Sequence, residues 1–384
     1  MGQQKLFFKQ FYKNKGNWLP IIVFIVAILF VLIMNTRVSG DRDFVAMAQD
    51  EIQANKEILT LNKQTMKESA KTERDKADFE ASEKVNKARV QEQEKMVNLY
   101  TDEKWAEAYK LKVHLLKESF GLYTGDIEAP AELKESIYRQ IAIYTKLEQL
   151  DIKSDQEDME TQGATFLYRT LTNFMPVLFV IILCFTLNVA FTDRFRNSLD
   201  RSLLLPQKYV RGTTERLFFG LILALSFYVI SCVVAYLSAS LLSGQGSFDY
   251  PIAINMKSGI TTKPVGELLA QTVCLQVLAI IVIVLTLDFV SKMCKRAMPT
   301  LFISLLVLIG PVLAVGKIEP LSKWAHILPG TYFNATSITN NYLSILCDNG
   351  NINFENGVLV MCVASIGLLI LNYGIDSRRG VNLT

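Results

Sequence analysis

Few residues in this chain have the types and spacing that chemistry needs. Leu242-Ser243-Gly244-Gln245-Gly246 is a near-anagram of the LSGGQ loop with which one class of ATPases closes on a nucleotide's γ-phosphate. Such a site also needs a phosphate loop, GxxxxGK followed by Ser or Thr after a strand, because stacked backbone N–H groups must hold the phosphates. No such segment occurs. Nor is there the long alternation of strands and helices that would build its supporting sheet. His326, Asp348 and Glu355 lie in one late polar stretch, but their spacing gives no reason to join them into a catalytic group. The cysteines (Cys184, Cys232, Cys274, Cys294, Cys347 and Cys362) show no CxxC or metal-ligand spacing, and the two histidines, His114 and His326, are far apart. Catalytic residues, a bound cofactor and a metal site are therefore not expected.

The elements that would position any site are apolar helices. Half the residues are hydrophobic and a fifth are charged. The charge is uneven: between Asp41 and Glu160 there are 27 acidic and 19 basic residues, against 10 acidic and 21 basic elsewhere. A helix needs about 20 apolar residues to cross the hydrocarbon core. Six segments qualify: Trp18–Met34, Phe174–Phe191, Leu217–Leu242, Leu268–Val290, Thr300–Val315 and Val358–Tyr373. The fifth contains Gly310-Pro311, which predicts a kink. A cleaved signal peptide ending near Val38-Ser39-Gly40 is the rival reading of the first. Its apolar run exceeds the roughly 7 to 15 residues of a signal core. The fold class expected is an all-α polytopic membrane protein with six transmembrane helices and a large external helical, partly coiled-coil insert between spans one and two.

Lysine and arginine in the short flanks set the orientation. They gather in the N-terminal arm, in the loop from Arg194 to Arg216, in the Lys292–Arg296 loop and in the tail at Arg378 and Arg379. Both termini are then expected to be cytoplasmic; lysine richness, few cysteines and no organelle-targeting pattern point to a bacterial plasma membrane. The expected divisions are a cytoplasmic arm (1–17), a first span (18–35), an extracellular stalk (36–165), a five-helix transmembrane domain (166–375) whose cytoplasmic coupling loop is 193–216, and a tail (376–384).

The arm, KLFFKQFYKNK, sets Lys5, Lys9 and Lys13 four residues apart, with Phe8, Phe11 and Tyr12 on another face. That is the pattern of a helix lying in a lipid headgroup layer. An ordinary basic anchor ahead of the first span fits equally well. From Asp41 to Phe120 there is neither glycine nor proline, which predicts helix with a hairpin or bend. Val45, Ile52, Leu59 and Met66 repeat every seven residues as a partial seam. Packing of the stalk on itself is the first expectation for that seam; a docking face for a substrate or partner is the second. Ionisable residues inside the spans are few: Arg169 near one end of a span and Asp288 near another. That shortage argues against a proton-driven transporter. Asn188, Gln271 and Gln276 are expected to join helices by hydrogen bonds.

The loop after span two reads TDRFRNSLDRSLLLPQKYVRGTTERLFFG. Arg194–Leu205 predicts a short helix at the membrane, stopped by Pro206. It would present Arg194, Arg196, Asp200 and Arg201 beside Leu199, Leu203 and Leu204. With the basic arm, the insert after span one and the LPGTYF stretch (Leu328–Phe333), this layout resembles the ABC-2 type permeases, the membrane subunits of ABC exporters. The resemblance implies that Arg194–Pro206 is a coupling helix docked into a separate ATPase subunit. The loop departs from the family's usual acidic-glycine pattern, with Phe195-Arg196-Asn197-Ser198 in its place. It further implies pairing with a second permease, identical or related, contact with membrane lipids, and ATP used only through the partner. No nucleic acid is expected as a partner. The cargo suggested is a peptide, an antimicrobial compound or an envelope lipid. The alternative is a non-transporting envelope sensor or scaffold whose stalk binds partners.

Overall fold

The computed structural model describes residues 12–13, 17–40, 42–69, 73–123, 130–196, 199–200, 209–256 and 259–381. In chain order the first helices are α1 (Leu19–Ser39), α2 (Phe44–Ser69), α3 (Glu73–Thr101), α4 (Trp105–Tyr123) and α5 (Ala131–Leu150). Then come α6 (Gly163–Asn173), a π-helical turn (Met175–Phe179), α7 (Val180–Thr192), and the two-residue strands β1 (Phe195–Arg196) and β2 (Leu199–Asp200). The long α8 (Tyr209–Ser243) leads to β3 (Pro251–Met256), β4 (Gly259–Pro264), α9 (Val265–Cys294) and α10 (Ala297–Ala314). Short helical turns follow, and α14 (Phe354–Val381) comes last, after α11 (Glu319–Trp324), α12 (Ala335–Thr339) and α13 (Tyr342–Leu346).

Six helices among the described residues are long and apolar enough to cross a membrane. They fall on α1, α8, α9, α10, α14 and the stretch from the π-turn through α7. The chain is predominantly helical, as expected, but not purely so. The correction is a β-hairpin: β3 pairs antiparallel with β4 from Pro251↔Pro264 to Met256↔Gly259. Its sequence explains it, since Ile252, Ile254, Ile260, Thr261 and Thr262 are β-branched and suit a pleated surface. The two prolines sit at the hairpin's outer end, where a missing N–H costs least.

The chain divides into two compact units. One comprises residues 33–165 with 246–265. Here α2 and α3 lie antiparallel, which the pairs Asn55–Gln93, Lys56–Glu94 and Lys63–Glu83 establish. Of the heptad residues, Ile52 and Leu59 are buried and pack with Val90. This is packing of the unit on itself, the first of the two readings. Asp43 caps α2 by accepting the Ala46 N–H at 2.7 Å. A hairpin or bend is expected in this stretch but its place is not; the break between α3 and α4 has neither glycine nor proline, and Glu103 takes a left-handed φ of 61°. The start of α4 is capped from a distance, the Ala106 N–H donating to Asp151 Oδ1 at 2.9 Å.

An aromatic core closes this unit. Phe44 stacks on Tyr100 with centroids 4.4 Å apart, and Tyr109 stacks on Tyr144 at 5.7 Å. The Tyr109 hydroxyl donates to the Ile152 carbonyl at 3.0 Å and accepts the Ser154 N–H at 2.7 Å. Tyr250, from the segment leading into β3, does the same on Asp155: its hydroxyl donates to that carbonyl at 2.9 Å and accepts that N–H at 3.2 Å. The Asp155 carboxylate accepts the N–H groups of Gln156, Thr161 and Gln162 and the Thr165 hydroxyl.

The other unit comprises residues 1–32, 166–245 and 266–384. Phe24 of α1 is fully buried against Phe174, Phe179 and Phe227. Gln276 joins helices as expected, accepting the Tyr228 hydroxyl at 2.8 Å and donating to the Leu171 carbonyl at 3.1 Å. Asn188 donates to the Ala297 carbonyl at 3.0 Å. The LLSGQG stretch is a helix end: α8 stops at Ser243, and Gly244 has a φ of 94°. That conformation is open to glycine and strained for other residues.

Candidate functional site

Six charged side chains meet at one end of the apolar helices. Arg216 comes from α8, Asp288 and Lys292 from α9, Asp376 from α14, and Arg194 and Asp200 from the loop after α7. The sequence explains part of this. Asp288 and Lys292 are four residues apart on one helix, so they share a face and pair directly, Nζ to Oδ2 at 2.9 Å. Arg216 lies early in α8 and Asp376 late in α14, which brings both to that end.

Arg216 holds Asp288 at two points, Nε to Oδ1 at 2.5 Å and Nη2 to Oδ2 at 3.2 Å. Lys292 Nζ reaches Asp376 Oδ2 at 2.7 Å, and Arg216 Nη2 lies 3.7 Å from the same oxygen. Neutral groups complete the shell. Lys292 donates to the Asn372 carbonyl at 2.9 Å and to its Oδ1 at 3.1 Å, while Asn372 Nδ2 donates to the Leu285 carbonyl at 3.0 Å. The Thr213 hydroxyl donates to Asp376 Oδ2. Three carboxylates thus face three cations, and Arg216, Asp288 and Lys292 are almost wholly out of solvent.

The loop is tied into this cluster. Arg194 Nη2 lies 3.9 Å from Asp288 Oδ1 and 3.5 Å from the Ser291 hydroxyl, and its Nη1 lies 3.6 Å from Asp200 Oδ2. Its guanidinium also sits 4.4 Å above the Phe195 ring. Burial, helped by the neighbouring Arg216, lowers the Arg194 pKa to about 10 against the opposing pull of Asp288 and Asp200. It stays charged at neutral pH.

This corrects the expected local structure. In place of a helix beginning at Arg194, β1 and β2 pair antiparallel, Phe195 opposite Asp200 and Arg196 opposite Leu199. The reason is that residues six apart lie on different faces of an α-helix, whereas the hairpin brings Asp200 within ion-pair distance of Arg194, 3.6 Å. Arg196 and Leu199 stand in these strands; Arg201, Leu203, Leu204 and Pro206 lie outside the described residues. So do Lys5, Phe8, Lys9 and Phe11 of the arm, while Tyr12 is exposed and meets Trp18 edge-on at 5.1 Å. Lys13 is exposed.

Sequence reasoning found Arg194, Asp200 and Asp288 singly but missed the cluster. Arg216 and Lys292 counted as loop-flanking positive charges, and Asp376 went unnoticed. The available signal was Asp288-x-x-x-Lys292 inside an apolar run, since a lone intramembrane charge wants a partner.

The LPGTYF stretch is buried packing. Gly330 approaches α10 so closely that a Cβ there would lie 2.7 Å from Pro311 Cβ. Tyr332 is fully buried, and a Cβ on Gly357 of α14 would lie 2.6 Å from its ring. The Tyr332 hydroxyl donates to the His326 carbonyl at 2.8 Å. His326 Nδ1 lies 3.2 Å from Asn349 Nδ2, a packing role in keeping with its position beside Trp324.

Comparison with protein-family models, with curated proteins and with solved structures finds no match for this chain.

Proposed function

We propose that this chain is the permease subunit of an ATP-driven exporter, forming the translocation path and coupling to a separate ATPase subunit. The observation that carries the proposal is the tie of the loop after α7 to Asp288 and Ser291 of α9 through Arg194, which Asp200 accompanies, at a cluster where α9 is itself ion-paired to Arg216 of α8 and Asp376 of α14. Hydrolysis in a partner must reach the membrane helices as displacement. A loop bonded into charges shared by three helices transmits displacement, whereas a free loop absorbs it. The basic flanks put this loop on the cytoplasmic side, where ATP is, and residues 36–165 outside. In this reading a second permease, identical or related, completes the path, and the arm with Lys5, Lys9 and Lys13 rests on lipid headgroups. A peptide, an antimicrobial compound or an envelope lipid is the cargo class.

One observation favours a proton-driven transporter instead: Asp288 is an ionisable residue inside an apolar helix, the usual mark of an ion path. Its partners speak against that role. Arg216 and Lys292 hold it within 2.5 to 2.9 Å, so among the described residues this carboxylate is already paired on both oxygens. An envelope sensor or scaffold remains the alternative in which the helical insert is the working part.

The test is isolation of the full chain with its native membrane partners. An ATPase is expected to co-purify, and Arg196→Glu and Leu203→Asp are expected to release it or to uncouple its hydrolysis. An ATPase that binds and hydrolyses normally with both variants overturns the assignment of this loop. If no ATPase associates, the permease reading falls and the scaffold reading replaces it.

A further inference from the structure

The segment between α10 and α14 folds back among the apolar helices. On its inner side Gly330 packs on Pro311 of α10, and Tyr332 on Gly357 of α14. Phe333 shares a small gap with Phe179, Gln276 and Ile280. The Thr339 hydroxyl lies 3.3 Å from that of Thr272, about 10 Å along α9 from its first residue. Irregular backbone at this depth is tolerated where protein covers it, and Thr331, Tyr332, Phe333 and Thr339 are all buried.

Among the described residues nothing covers the outer side of the same segment. Ile318, Trp324, Ile327, Tyr342, Ile345 and Leu346 are each between 42 and 63% exposed. They gather rather than scatter. A Cβ on Gly316, just past α10, would lie 2.8 Å from Leu346 of α13, and Asn349 Nδ2 donates to the Lys323 carbonyl at 3.3 Å. Large apolar side chains gathered in this way mark an interaction surface.

Neighbours and composition say what it meets. The patch continues from the end of α10, where Leu306 and Leu313 are exposed on a helix long and apolar enough to cross a membrane. Tryptophan and tyrosine are the residues of the boundary between acyl chains and headgroups. Lys317 and Lys323 are exposed beside them, Lys323 lying 3.7 Å from Glu319, and their long stems let the ammonium groups reach phosphates. Helices that pack on one another inside a membrane meet through small residues instead.

We propose that the residue 315–353 segment is seated in the bilayer boundary at the end of the bundle away from Asp288, with phospholipid as its partner. Trp324, Ile327, Ile345 and Leu346 lie among the upper acyl chains, and the two lysines face the headgroups. The inference rests on the apolar helices crossing a membrane and needs neither an ATPase nor transport, so its failure leaves the permease reading standing.

The experiment places the full chain in vesicles of phosphatidylethanolamine and phosphatidylglycerol. Trp18→Phe with Trp105→Phe leaves Trp324 as the only tryptophan, and its fluorescence is read against lipid-borne nitroxides and aqueous acrylamide. Emission is expected to be blue-shifted. A nitroxide near the headgroup is expected to quench it more than one near the chain end, and acrylamide is expected to quench it little. Strong quenching by acrylamide without quenching by lipid puts Trp324 in water and overturns the proposal. Quenching by neither puts it under protein, a second copy included, and overturns it as well. Where the double variant does not fold, the difference in quenching between the parent chain and Trp324→Phe reads the same residue.

Discussion

Arg216 on α8 and Asp288 on α9 form a two-point ion pair, at 2.5 and 3.2 Å, with both side chains out of solvent. Two charges removed from water in this way lose more hydration than a single contact returns. What makes the burial tolerable is the rest of the cluster. Lys292 takes the second Asp288 oxygen and one of Asp376, and the Thr213 and Asn372 groups fill the remaining sites. The arrangement joins three apolar helices and a loop at one point.

Removing one member therefore does more than break one bond. Asp288→Asn leaves Arg216 and Lys292 facing Asp376 without their main counter-charge, and a cost of about 3–5 kcal/mol is expected. Thermal unfolding of the purified chain in detergent measures it. The double variant Arg216→Met with Asp288→Leu removes both partners of the pair and is expected to lose less than Asp288→Asn alone. A double variant that loses the sum of its singles contradicts the coupling.

Arg194 ties the β1–β2 hairpin to the cluster, so Arg194→Met is expected to loosen the hairpin first. Hydrogen exchange at Phe195, Arg196, Leu199 and Asp200 should quicken, while amides in α2 to α5 keep their protection. Exchange at the hairpin that stays as in the parent chain rules out this role for Arg194.

The close approach of Gly357 to Tyr332 predicts an overpacking penalty. Gly357→Ala puts a methyl 2.6 Å from the Tyr332 ring, and a loss of about 1–3 kcal/mol is expected. Tyr332→Leu in the same chain relieves the clash, so the two changes together should cost less than their sum. Melting temperatures of the three variants decide the matter.

The tyrosines of the residue 33–165 unit predict a pH response. Burial raises the pKa of Tyr100, Tyr109, Tyr144 and Tyr250 above the ordinary value, for Tyr250 with help from Asp155. Above the unfolded tyrosine value of about 10, the unfolded state releases protons that the folded state keeps, so stability falls as pH rises. The contribution is fully present below about pH 10. Absorbance titration of the phenolates should show a fraction that ionises only with loss of helical signal. Tyr109→Phe removes one such group, together with its bonds to Ile152 and Ser154, and should reduce that late fraction.

The helical insert was legible because its signals are local. Eighty residues without glycine or proline predict helix, and Ile52 and Leu59 bury as their spacing suggests. The β3–β4 hairpin was harder, because β-branched residues between two apolar helices also suit an irregular loop. The break at Glu103 has no marker at all. It comes from a left-handed turn that Asp151, far along the chain, helps to hold by capping the next helix.

What the amino-acid order determined by itself is therefore what depends on neighbours along the chain: six apolar helices, the polar insert and the turn at Gly244. The tertiary structure alone decided the charge cluster. Arg216 and Asp288 are 72 residues apart, and Thr213 and Asp376 are 163 apart. Along the chain Arg194, Arg216 and Lys292 look like ordinary basic flanks. They become ion-pair partners only when helix packing excludes water and leaves each charge no other place to find its opposite.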